Sequence, residues 1–446
     1  MATAIEFDEC PEKKPYLPHL TATKRIWSAM SRFPQGLNLS KPRLKTFVIW
    51  SVNVIINAQT NINNNTAFQP NFFWNKKINN TPNTEPNINL TDTKPASAVE
   101  KNQATYYNCG NLPLNRKGVN LKWRLDVKKR YDGAHTGFLF DAADNNTIKW
   151  RPQGITGLGK KVNNKSFLIV SWYGRKKSEQ KGLIKEGYSD RGARVSIINT
   201  TNMDKIKYRN VLLVDKDLKP FPGCHAGGLA VVGDKLHVAD SRGSKGNPLA
   251  DGSYDRIMIF DLTKIEKISK PVKKYSYVLR MESSYNSPIN PGYLSYNKAD
   301  NEMMIGSFTC NDAGDCKKKF STGPAKFVFA NPNSINRNTS STTLETAEAK
   351  VNKQFRQVQG MSTFTRNGKK YLVTSHSFAS AKSALNFFEQ KNGEWEWVKK
   401  KVIKAKGLED VYVSSKNIWS VSEFSPLEVA FSDRGVTAWK TSKMVE

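Results

Sequence analysis

Hydrophobic and polar positions alternate in short runs over most of the chain, and the runs return in groups of three or four. The clearest group lies between His225 and Leu279. There the apolar run Leu229-Ala230-Val231-Val232 meets a Gly233-Asp234 turn and the alternating Leu236-His237-Val238-Ala239-Asp240. Arg256 to Leu262 and Tyr275 to Leu279 follow. Two short strands about a Gly-Asp turn, then two more at hairpin distance, predict one four-stranded antiparallel meander. Similar groups start at Gly154, Gly292, Gly360 and Gly407. The last of these is expected to use Ile418 to Glu423 as its second strand and Leu427 to Phe431 as its third.

A meander that is apolar on both faces cannot stand alone, so successive units must pack on one another. The expected fold is all-β, a β-propeller of five or six four-stranded antiparallel blades. Each unit opens on Gly and an apolar residue, as an innermost strand crowded against a central axis requires. His135 to Asp141 and Val436 to Trp439 are the candidates for closing the ring. The strand count and short turns also suit two β-sandwich domains.

The pattern fails before residue 106. Residues 1–58 hold five prolines ahead of a basic flank and the apolar core Phe47 to Ile56, the order of a secretory signal. Residues 59–105 are rich in Asn and Pro and lack apolar periodicity, so a disordered linker is expected, with the propeller over 106–446. Export into an extracellular or periplasmic space follows from that leader, and no apolar run is long enough for a transmembrane helix. Cysteine spacing agrees with export. Cys310 and Cys316 flank a short turn-rich loop, and Cys109 with Cys224 would then form a second bridge.

Composition adds one constraint. Of 446 residues, 69 are basic and 39 acidic, a net charge of +30 that concentrates polyanions such as glycans, nucleic acid or an acidic surface. Lys317-Lys318-Lys319 and Lys399-Lys400-Lys401 are the densest clusters.

In a meander the start of the first strand and the end of the second lie at one end of the sheet, so these positions should ring one mouth of the axis. They hold Gln153, Trp172, Tyr173, Gln359 and His376 as candidate ligand contacts and His225 and Glu423 as candidate catalytic groups. Asp240, Glu409 and Asp410 offer oxygen ligands suited to Ca²⁺. His225 has the titration range of a general base. Two functions fit: a monomeric binding protein taking a small ligand at the mouth or an anionic partner on its surface, or a Ca²⁺-assisted hydrolase or lactonase. No nucleophile elbow, zinc-protease helix motif, P-loop or dinucleotide fingerprint is present.

Trp150 to Gly157, Ser171-Trp172-Tyr173, Tyr208 to Val214 and His225 to Leu229 together resemble bacterial secreted β-propeller proteins of the actinobacterial type, a group without a known activity. Gly407 to Asp410 and Trp419 to Glu423 fit the same likeness. The Gly-Gly-Leu-Ala start followed by Leu236 to Asp240 is more distantly similar to NHL-repeat, calcium-dependent lactonase and strictosidine-synthase-like propellers. That likeness implies blade architecture and carries no catalytic residue across.

Overall fold

The computed structural model divides the chain into Met1–Ala96 and Ser97–Glu446. It describes residues 104–124, 128–175, 188–241, 255–287, 289–309, 326–332, 346–348, 356–377, 382–429 and 432–445. The signal-like segment, the Asn-rich stretch, the Cys310–Cys316 loop and Lys317 to Lys319 lie outside these residues.

The described part is almost entirely β. Short strands β1 (Thr105–Tyr107), β2 (Arg116–Lys117), β3 (Val119–Asn120) and β4 (Thr136–Leu139) precede a single helical turn, α1 (Ala142–Asn145). A first meander follows: β5 (Trp150–Gly157), β6 (Phe167–Arg175), β7 (Tyr188–Asn199) and β8 (Lys207–Val214). Next come β9 (Leu229–Val232), β10 (Lys235–Ser241), β11 (Asp255–Asp261), β12 (Ile265–Val272) and β13 (Tyr275–Asn286). A third group has β14 (Tyr293–Asn297), β15 (Glu302–Gly306), β16 (Phe327–Ala330) and β17 (Thr346–Glu348). A fourth has β18 (Val358–Arg366), β19 (Lys369–His376), β20 (Lys382–Lys391) and β21 (Glu394–Lys406). β22 (Leu408–Val413), β23 (Asn417–Ser422) and β24 (Gly435–Lys440) then pair with β4, and β4 with β3.

Two expectations change. The third strand of the last group is β24, whereas residues 426–428 form a turn, with the Ser425 amide donating to Glu428 Oε2 at 3.1 Å. In the second group the long β13 serves two sheets. Its later half pairs with β11, while Val278 to Arg280 run parallel to Leu212 to Val214 of β8 and so join the first two groups edge to edge.

The arrangement is that of a β-propeller. First strands touch in the cyclic order β5, β9, β14, β18, β22 and back to β5. Apolar side chains fill the seams between successive groups. Ile169, Val195 and Val211 pack on Leu229, Leu236 and Met258, and Leu294 and Ile305 pack on Ile257 and Ile259. Tyr293 and Met304 meet Met361 and Leu372, and Val373 and Phe387 meet Leu408 and Val411. Val421 and Val436 return to Ile155, Val170 and Trp172. Since alternate residues of a strand face opposite sides, Val170 and Ile169 enter different seams, and the run Phe167 to Val170 is apolar throughout. Antiparallel pairing of Val436 with Phe138 and Thr437 with Gly137 closes the ring through the two segments expected to do so. A buried cluster anchors the closure. Asp144 of α1 receives Arg194 at 2.7 Å, the Tyr208 hydroxyl at 2.8 Å and Asn210 at 2.9 Å. Burial alone would raise the Asp144 carboxyl, but Arg194 and Arg116 outweigh it and hold it below its ordinary range.

The glycines that open the first strands are there because neighbouring strands leave no room for a side chain. A Cβ on Gly228 would lie 2.0 Å from the Leu294 amide nitrogen, and one on Gly360 would lie 2.4 Å from the Asp410 Cα. Gly228→Ala is therefore expected to push β9 and β14 apart and to cost about 1–3 kcal/mol or more, read as a lower denaturant midpoint. An unchanged midpoint would mean the first strands are not packed this closely.

Candidate active site at the axial mouth

Three of the first strands carry a β-bulge at the same place. Register slips between Pro152 and Ile155 in β5, between Val358 and Gly360 in β18 and between Leu408 and Val411 in β22. The slips span Gln153-Gly154, Gln359 and Glu409-Asp410, four of whose residues were expected at the mouth. A bulge bends the strand and re-aims a side chain, so the distortion sits where the side chains are chemically useful.

The structure brings Gln153, Tyr173, Glu409, Glu423 and His225 together. Glu423 Oε1 receives the Arg151 guanidinium at 2.8 Å and the Gln153 amide at 3.2 Å, with the Tyr173 hydroxyl at 3.5 Å. The His225 ring is 4.7 Å from that of Tyr173 and half-buried. Glu409 is buried, with its carboxyl in hydrogen-bond contact with Glu423, and its Oε1 has no hydrogen-bond partner among the described residues. Burial first, and then the Glu423 carboxylate, raise Glu409 well above its ordinary 4.5. Glu409 therefore holds its proton well above the usual carboxylate range, beside the Glu423 carboxyl.

Behind Glu423 lies a cluster that sequence reasoning missed. Glu428 accepts from Arg151 at 3.0 Å, from Arg434 at 2.6 Å and from Arg175. Arg434 also donates to the Glu423 carbonyl at 2.8 Å. Three buried guanidinium groups thus gather around the Glu423 and Glu428 side chains. Burial, with Arg151 and Arg175 close by, brings Arg434 down to about 10 against the pull of Glu428. The one available signal was Arg151 inside the Trp150 to Gly157 run, one strand repeat from Gln153.

Other expected residues go elsewhere. Trp172 is buried in the seam beside Phe140, its indole N–H donating to Ser196 at 2.8 Å. Adjacent strand positions face opposite sides, so Trp172 turns to the apolar seam while its neighbour Tyr173 turns to His225. His376 lies at the end of β19, bonded to the Thr374 hydroxyl at 2.8 Å and the Arg356 carbonyl at 3.2 Å. Burial and then Lys400 lower it to about 4, despite the Arg356 carbonyl, so it is neutral near pH 7. Gln359 donates weakly to the Ser377 carbonyl at 3.4 Å.

The carboxylates expected to bind Ca²⁺ do not make a cage. Asp240 pairs with Arg256 at 3.3 Å. Asp410 accepts from the Ile155 amide at 3.1 Å and the Val411 amide at 2.9 Å, a backbone clamp between β5 and β22. Glu409 is committed to Glu423. Among the described residues no three His, Cys, Asp or Glu side chains gather as a metal ion would need. Cys109 and Cys224 are both buried in one apolar cluster, but the expected bridge between them is not formed. Burial in those surroundings pushes the Cys109 thiol up to about 12.

No protein-family model and no curated protein matches the chain, so the resemblances to secreted and lactonase-like propellers have no sequence-family support. Among solved structures it is similar to a GH43_1 enzyme from Xanthomonas citri complexed with xylotriose, at 8% identity and TM-score 0.36, covering 71% of this chain and 93% of that one. It is also similar to a Bombyx mori GH32 beta-fructofuranosidase, at 12% identity and TM-score 0.39, over 72% and 64% of the chains. Hydrazine synthase from Kuenenia stuttgartiensis aligns at 13% identity and TM-score 0.30, over 63% of this chain and 58% of that one.

Glu409 gives the site a pH signature. Its folded value lies above 4.5, so the native state keeps a proton that the unfolded chain releases. Stability then falls as pH rises from about 4.5 towards the folded value, by about 1.4 kcal/mol per pH unit. Glu409→Gln removes this titration, so its melting temperature should gain on the wild type between pH 5 and pH 8. A constant difference across that range would show that Glu409 titrates normally.

Proposed function

We propose that the five meanders are five blades about one axis and that the chain is a hydrolase acting at the mouth of that axis by acid–base chemistry. The carboxyl pair Glu409 and Glu423 carries this reading. Glu423 is the more exposed of the two, at 9% against 3%, so it is the member that would meet a bound water. Arg151, Gln153 and Tyr173 all donate to it, fixing its orientation. It would take a proton from water as the oxygen attacks an electrophilic carbon. Glu409, buried behind it, would lend its proton as the leaving group departs.

The class of bond follows from how close the carboxyls are. Glycosidase carboxylates stand roughly 5 Å or more apart to hold a sugar, or a sugar and a water, between them. A pair in hydrogen-bond contact has no such gap. It suits addition of water to an acyl carbon, as in an ester or lactone.

The test is turnover of a panel of small esters and lactones by the wild type and by Glu423→Gln. Loss of a positioned base lowers kcat by about 10²–10⁴-fold, and that is the expected loss. Binding without turnover in the wild type, or a Glu423→Gln rate equal to the wild type, would overturn the reading.

A further inference from the structure

β21 is the last strand of its sheet and does not belong to the mouth. It is buried from both sides, Trp395 packing with Tyr293 and Met304 and Ile403 and Ala405 with Leu408 and Val411. Val398, Lys400, Val402 and Lys404 alternate along it, all exposed, and Trp397 stands beside them. Val398 is 40% exposed, Val402 48% and Trp397 39%. The basic surface continues past the strand. Arg130 accepts a backbone hydrogen bond from Ala405 at 2.8 Å, which brings Lys128 and Lys129 alongside.

We infer that this face docks on a membrane surface bearing anionic phospholipid. Lysines alone at a sheet edge would guard against strand pairing, but exposed valines and a tryptophan work against that purpose. A nucleic acid would use the lysines and the indole, yet it offers nothing to two aliphatic side chains. A lipid interface satisfies all of them. Ammonium groups meet the phosphates, the indole lies at headgroup level, and the valines leave water for the acyl boundary. β21 pairs with β20 from Glu394 to Lys406, with a bulge at Val398, so these side chains are presented together without refolding.

The experiment is sedimentation with vesicles of phosphatidylcholine alone or mixed with phosphatidylglycerol, using the full chain. Binding should require the anionic lipid. Val398→Ser with Val402→Ser, and separately Lys400→Ala with Lys404→Ala, should each weaken it at least fivefold. Lys267→Ala with Lys270→Ala, the same charge change on exposed positions of β12, should change it less than twofold. Brominated lipid should quench part of the tryptophan fluorescence, and Trp397→Phe should abolish that part. All these positions are exposed, so thermal melts should match the wild type. Loss with the lysine pair but not with the valine pair, or tighter binding to an oligothymidylate than to the vesicles, would overturn the inference in favour of a purely electrostatic polyanion surface.

Discussion

Every sheet in this chain is apolar on both faces, and that constraint governs the rest. A strand such as β6 sends Val170 to one neighbour and Ile169 to the other, so no sheet can end the stack without leaving one face in water. A row of such sheets is stable only when its last member meets its first. Here the meeting is covalently economical: β22, β23 and β24 come late in the chain, and the sheet is completed by β4, which precedes the first meander. Residues about 300 positions apart become hydrogen-bonded neighbours, and the seam between the fifth and first groups fills with Phe138, Val436 and Trp172.

Closure also creates the site. Arg151 and Gln153 enter from the first group, His225 from the approach to the second, and Glu409 and Glu423 from the fifth, and the groups meet because the ring joins. The buried ion pairs behind them are better understood as positioning devices than as sources of stability, since desolvating charges offsets most of their attraction. Arg434 illustrates this. It holds Glu428, reaches the Glu423 carbonyl and contacts the carbonyl of Asp144 at 3.2 Å, tying the mouth to the cluster that anchors ring closure.

The fold was legible because glycine starts and apolar runs mark the first strands, and steric crowding at Gly154, Gly228 and Gly360 is the physical source of that signal. Leu427 to Phe431 read as a strand by composition, yet Glu428 is drawn inward by Arg434 and by Arg151 and Arg175 from far upstream, a pull that no local pattern reports. Gln153, Tyr173, Glu409 and Glu423 were legible from strand order alone. Arg151, Arg175 and Arg434 were not, because a basic residue in a strand of a +30 chain reads as surface until coordinates show it buried. Trp172 was misplaced by one step of strand alternation.

Ring closure puts the first and fifth groups in direct contact at the site. A double-mutant cycle between Arg151 and Glu423, 272 residues apart, tests it most directly. With Arg151→Met, Glu423→Gln and the double variant unfolded in denaturant, a coupling of about 1–3 kcal/mol is expected. Additive effects within about 0.3 kcal/mol would contradict it, since residues that do not touch do not couple.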